Sequence, residues 1–202
     1  MKFTGENTLH APVEKSWDAL LDPAVLVRTI PGCERLEATG ENAYAMTVTA
    51  GVAAIKGTYS GSCVLSDLTP HESLVMKLDG AGAPGTIGAT VDVRFAPAGD
   101  GATTISYDAD AVVGGMVGGV GQRMLTSVSR RMAGDFFTNV DAVLTGAAPD
   151  LERVGAAAAP SEPGVYTAPP RPAAVTSQRD FLTGVAVGAA LVALGVLIGR
   201  RR

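Results

Sequence analysis

The chain holds 202 residues, 47% of them hydrophobic and only 5% aromatic, with 25 Gly, 12 Pro and a formal net charge of −4. That length fits one ordinary domain with an appendage, and the apolar content excludes a wholly disordered chain. The negative balance excludes a protein that coats nucleic acid. The charge is unevenly divided, since residues 1–147 carry 10 Lys and Arg against 16 Asp and Glu, while residues 148–202 carry 6 against 4. An acidic body precedes a basic tail. Cys33 and Cys63 are too few for a disulfide framework, and a body of this size does not need one. Glu6, Glu14, Asp18 and Asp22 interrupt every N-terminal stretch that would serve as a signal peptide. The body is therefore expected in the cytosol, with reduced thiols.

In chain order, KFTGENTLH alternates as a strand does. Pro12 opens a helix whose apolar face is Val13, Trp17, Leu20 and Leu21; Asp22-Pro23 ends it and starts a second, Ala24–Thr29. The period then switches to two. Strands are predicted at Cys33–Thr39, Ala43–Ala50, Lys56–Asp67, Ser73–Gly80, Gly85–Phe95 and Ala102–Val112, spaced as consecutive antiparallel hairpins. After Gly114-Gly115 the period returns to 3.6, and Val117, Met124, Val128, Met132, Phe136, Val140 and Val143 form one stripe on a long helix. The glycines at its start read as a hinge or as a close approach at a cavity mouth, with a plain strand-to-helix turn as the bland reading. Residues 1–146 thus predict an α+β body, a curved antiparallel sheet around a long C-terminal helix, which is the helix-grip arrangement.

Residues 147–180 contain six of the twelve prolines among Ala, Ser, Glu and Thr, without apolar periodicity, and predict a disordered linker. Residues 181–199 read FLTGVAVGAALVALGVLIG, without a charge. As a helix this run spans about 28 Å, near the ~30 Å hydrocarbon thickness, so it predicts a membrane anchor. Gly184, Gly188, Gly195 and Gly199 fall within about 60° on the helical wheel, a stripe suited to contact with another helix. Arg200–Arg202 form a basic end that suits lipid headgroups but not translocation, so spanning and shallow burial both stay open. The body is expected to fold without residues 148–202, and its acidity to hold it off anionic headgroups.

No catalytic signature emerges. His10 and His71 sit at a strand end and in a turn, Asp108 and Asp110 share the outward face of a strand, and no Cys/His cluster has metal spacing. The glycines at 114–121 lack the βαβ setting of a dinucleotide fingerprint. Alternation instead points Tyr44, Met46 and Val48, Tyr59 and Cys63, Leu74, Met76 and Leu78, Ile87, Ala89 and Val91, and Ile105 and Tyr107 inward. Adaptable methionines and scattered tyrosines suit an apolar binding cavity; an ordinary packed core is the competing reading.

The stretches AGVAAIKGTYSGSCVLSDLTP, GAGAPGTIGAT, AVVGGMVGGVGQRM and MAGDFFTNV, with PGCERLE and the opening KFTGENTLHAPVEKSWDALLD, resemble the carbon monoxide dehydrogenase G-subunit family over residues 1–146. GGMVGG departs from that pattern, where Lys and larger apolar residues are commoner. The resemblance implies the START-like helix-grip superfamily of hydrophobic-ligand binders. It implies as partner a molybdenum carbon monoxide dehydrogenase that must pass electrons to a membrane quinone. The expected function is therefore a non-enzymatic accessory protein at the cytoplasmic face of the cell membrane, which recruits the enzyme and delivers menaquinone or ubiquinone. The alternative is an assembly or anchoring factor without a ligand. The expected ligand set is Tyr44, Met46, Val48, Tyr59, Leu78, Ile87, Val91 and Tyr107 on the sheet, closed by Val117, Val120, Met124 and Val128 on the helix.

Overall fold

The computed structural model describes residues 1–52, 54–147 and 164–168. Its elements are β1 (Lys2–Leu9), α1 (Val13–Leu21), α2 (Pro23–Thr29), β2 (Cys33–Gly40), β3 (Ala43–Val52), β4 (Ile55–Thr69), β5 (Ser73–Gly82), β6 (Gly85–Pro97), β7 (Thr103–Gly114), α3 (Gly115–Gly118), α4 (Gln122–Leu144) and β8 (Val165–Thr167). The strands make one sheet in the order β1-β7-β6-β5-β4-β3-β2-β8, antiparallel throughout. Five hairpins link β2 to β7, and β1 closes the opposite edge on β7.

Local chemistry fixes the helices. The Asp22 carboxylate accepts from the Ala24 N–H at 2.8 Å, with Pro23 preset for the first turn of α2. Asn42, His71 and Asp100 adopt positive φ in three hairpin turns, a conformation that short polar residues tolerate. Inward positions bury Leu9, Leu36, Ile105, Val27 and Val140 almost completely. Trp17 meets Phe95 edge-on at 5.2 Å and so ties α1 to β6. Ser16, Thr103 and Thr29 are buried polar groups, and each is satisfied: the Thr103 hydroxyl donates to the Ala11 carbonyl, Ser16 reaches Thr103, and Thr29 donates to the Val25 carbonyl.

Two predictions need correction. The long helix does not begin near Val117; a separate turn, α3, precedes it, and α4 starts at Gln122 because Gly121 has φ 93° and interrupts the helix. The stretch 147–180 is not wholly without structure. Val165–Thr167 within it adds β8 to the free edge of β2, where Val165 is buried and the Gly164 carbonyl accepts from the Ala38 N–H at 2.8 Å. Among the described residues no helix is long and apolar enough to cross a membrane. The expected anchor at 181–199, its glycines Gly184, Gly188, Gly195 and Gly199, and the basic end at 200–202 lie outside the described residues.

Candidate functional site

The concave face of the sheet, the end of α2 and the middle of α4 enclose a cavity of about 330 Å³. Its floor is made by inward residues of β2 to β7: Leu36, then Tyr44 and Met46, then Cys63 and Leu65. Leu74, Met76 and Leu78, Val93 and Phe95, and Ile105 complete that floor. Met132, Ala133, Phe136 and Phe137 of α4 form the roof, and Leu20, Leu26, Ile30 and Pro31 close the side. The spacing of the roof residues, one helical turn apart, follows from the amphipathic face of α4.

Chemistry inside is sparse. The Tyr44 hydroxyl and the Cys63 thiol are the ionisable side-chain groups in the lining. Desolvation raises both, Cys63 from 9.0 to about 12, and Tyr44 with added contributions from Cys63, Asp22 and Tyr166. Both are neutral near pH 7. Tyr44 donates to the Leu21 carbonyl at 3.3 Å, which anchors the ring. An anion placed here meets no countercharge, a cost on the order of several kcal/mol. A neutral, largely apolar molecule meets no such cost. Among the described residues the lining holds no His, Asp, Glu or Lys to serve as a general base, and no three His, Cys, Asp or Glu converge to hold a metal.

The expected ligand set divides in two. Tyr44, Met46 and Leu78 line the cavity. Val48, Tyr59, Ile87, Val91, Tyr107, Val117, Val120, Met124 and Val128 do not. Val91, Ala109, Ala111, Val117 and Leu125 are each buried within 8% exposure, and α3 packs on β6 and β7. Small inward residues there permit close packing instead of opening a hollow. Tyr107 is occupied by stacking on Phe137 at 6.1 Å, so it stands beside the cavity wall without lining it. Met124 is 44% exposed because the helix register turns Leu125 inward. Ile87 lies at the exposed end of β6.

Sequence reading missed Phe136 and Phe137 as lining, and the contribution of α1 and α2 through Leu20, Leu26, Ile30 and Pro31. Phe136 belongs to the predicted apolar stripe, which is the signal that could have found it. The glycines at 114 and 115 serve close approach. Gly85 bridges Gly115, and a Cβ on Gly115 would lie 2.6 Å from the Gly85 Cα. His10 lies 71% exposed and clasps Asp141, its N–H donating to Oδ1 at 2.6 Å. Asp108 and Asp110 are exposed, each within 3.7 Å of a surface cation.

The family model for the carbon monoxide dehydrogenase G-subunit (CoxG) matches residues 5–145. A conserved protein of known structure from Geobacillus kaustophilus is 31% identical, covers 76% of this chain and 97% of its own, and superposes with a TM-score of 0.68. A START superfamily protein from Mycobacterium smegmatis shares the fold at 12% identity, with 72% and 97% coverage and a TM-score of 0.56. An aromatase/cyclase from a Streptomyces species is similar in fold at 17% identity, with 76% and 94% coverage and a TM-score of 0.54. No curated protein matches the chain. With its eight-stranded antiparallel sheet, its long helix and its cavity on the concave face, the chain belongs to the carbon monoxide dehydrogenase G-subunit (CoxG) family, on a START-like scaffold.

Proposed function

We propose that this protein is a non-enzymatic accessory of a molybdenum carbon monoxide dehydrogenase, held at the cytoplasmic face of the cell membrane, and that its cavity carries a respiratory quinone, menaquinone or ubiquinone, to the enzyme. Family membership supports the accessory role. The observation that carries the ligand class is the cavity of about 330 Å³ whose ionisable groups, Tyr44 and Cys63, are both held neutral. Charged fatty acids and phospholipid headgroups are disfavoured there, whereas a quinone ring is neutral and flat. The Tyr44 hydrogen goes to the Leu21 carbonyl, so the Cys63 thiol is the polar side chain of the lining left to face a quinone carbonyl.

Size limits how much enters. The volume lies at the low end of the roughly 300–1,000 Å³ of small-molecule sites, so it takes the ring and the first part of an isoprenoid tail. Each methylene buried contributes about 0.8 kcal/mol. A carrier needs near parity with the bilayer, because much tighter binding prevents release. The uncharged run at 181–199 supports the tether.

Mass spectrometry of lipids extracted from the purified full-length protein tests this reading. An isoprenoid quinone at near-stoichiometric amount is the expected result. A protein without quinone that still brings the dehydrogenase to membranes would favour the anchoring role alone.

A further inference from the structure

The acidity of the body is not spread evenly. No Asp or Glu occurs between Glu41 and Asp67, between Asp79 and Asp92, or between Asp110 and Asp135. The charges within those windows are Lys56, Arg123, Arg130 and Arg131, all positive. Topology brings the windows together. The first contains the β3–β4 turn, the second the β5–β6 turn, and the third α3 with the first half of α4. Gly57 packs against Pro84, the Val117 N–H donates to the Pro84 carbonyl at 3.2 Å, and Gly85 bridges Gly115. Three loops from distant parts of the sequence thus form one end of the domain.

That end is also apolar where it meets solvent. Met116 is 63% exposed, Met124 44% and Ile87 36%. Large side chains in such company mark an interaction surface, and methionine adapts to irregular partners. Beside them on α4, Gln122, Arg123, Thr126, Ser127 and Arg130 line a shallow polar depression. Arg123 and Arg130 lie two helical turns apart on one face. Among the described residues neither forms an ion pair with a carboxylate. Guanidinium groups flanked by hydroxyls suit phosphate oxygens, and the adjoining methionines suit the acyl boundary below them.

We propose that this end, built from the β3–β4 and β5–β6 turns, α3 and the start of α4, docks on an anionic lipid surface, with Met116 and Met124 entering the interface and Arg123 and Arg130 on lipid phosphates. Glu34, which accepts from the Thr49 hydroxyl at 2.6 Å, and Asp79, which pairs with Gly88, flank this end, but every charge inside the three windows is positive, so the electrostatic field orients the domain as well as attracting it. The expectation that acidity holds the whole body off headgroups is replaced by a polarised one. The proposal deepens the membrane-delivery reading and rests on it for its purpose, although the surface is measured separately.

The test uses the full chain with an environment-sensitive fluorophore on Met116→Cys, compared with Asp100→Cys in the β6–β7 turn. Cys33 and Cys63 are buried and stay unlabelled in the folded protein. Vesicles of phosphatidylglycerol and phosphatidylcholine should blue-shift the label at Met116→Cys and expose it to quenching by spin-labelled lipid, several-fold more than at Asp100→Cys. The double variant Arg123→Glu/Arg130→Glu, or added salt, should remove most of that difference. Equal responses at both positions would mean that a tether alone brings the domain near lipid, and would overturn the proposal. So would an unresponsive Met116→Cys, or a response identical on pure phosphatidylcholine. Quinone measured in the same preparation separates the two readings. Absent quinone with lipid-embedded Met116 removes the carrier role and leaves the docking surface.

Discussion

Tyr107 and Phe137 stack with ring centroids 6.1 Å apart and planes 20° from parallel, joining β7 to α4 at the edge of the cavity. Phe137 lines the cavity, and Phe136 beside it meets Phe137 edge-on at 5.1 Å. Behind the Tyr107 ring lies Gly5 of β1, where any side chain would collide with the phenol. The ring therefore fills the space that Gly5 leaves and sets the height of α4 above the sheet.

Removing that ring should loosen both. Tyr107→Ala is expected to destabilise the domain by about 3 kcal/mol, the cost typical of truncating a packed aromatic. Urea unfolding of the variant measures this directly. Tyr107→Phe, which keeps the stack, should cost less than about 1 kcal/mol.

Filling the cavity should abolish its ligand. Met76→Trp and Leu78→Trp place indoles into the lined space, and quinone content should fall by at least about tenfold, the equivalent of ~1.4 kcal/mol. Val64→Trp adds the same bulk on β4, where Val64 is 46% exposed, and should leave quinone content unchanged. Equal loss in all three variants would show that the cavity is not the carrier site.

The two thiols should be silent in the folded protein. Burial raises Cys33 to about 11 and Cys63 to about 12, so at pH 8 neither presents appreciable thiolate. A thiol reagent should titrate neither in the native chain and both after denaturation. The folded state holds its protons more tightly than the unfolded state, so this contribution to stability is complete below about pH 9 and is lost as pH rises toward 11–12. Cys33→Ser/Cys63→Ser should flatten that alkaline decline in denaturation midpoint.

Much of this fold was legible because a sheet exposed to solvent on one face alternates strictly. Tyr44 and Met46, and Leu74, Met76 and Leu78, fell on the concave face by period alone. Period assigns a face and not a position along it. It could not tell that the hollow lies under Met132–Phe137 while the half near Val117 is packed. The helix register slipped for a similar reason. Gly121 takes Val117 out of the helix, and inside α4 Met124 stands eight residues before Met132, about 80° around the wheel, whereas Leu125 stands seven before it, about 20° away, so Leu125 is the buried one. Leu20 belonged to the apolar face read for α1, but an apolar face says that a side chain is buried and not that it borders the hollow, and the places of Leu26 and Ile30 in the lining are likewise set by tertiary packing.

The edge strand gives the last prediction. Val165, Tyr166 and Thr167 pair with Glu37, Leu36 and Arg35, and the Ala168 N–H donates to the Glu34 carbonyl at 2.9 Å. Proline on both sides hid this alternating triplet within a stretch read as linker. Its physical effect is to cover β2, which would otherwise end the sheet with unpaired N–H and C=O groups. Val165 is 8% exposed, and Tyr166 packs on the core. A chain ending at residue 147 should therefore be less stable than one ending at residue 169, by roughly 1–3 kcal/mol from one lost apolar side chain and its ladder bonds. It should also self-associate more as concentration rises, because the uncovered β2 edge templates pairing with a second copy. Urea unfolding and sedimentation of the two truncated chains, run side by side, check both effects. Within the longer chain, Val165→Asp should reproduce most of the loss, since it puts a carboxylate at a buried site without a countercharge. If both truncations unfold at the same midpoint and remain monomeric, β8 adds nothing to the domain and the sheet ends in practice at β2.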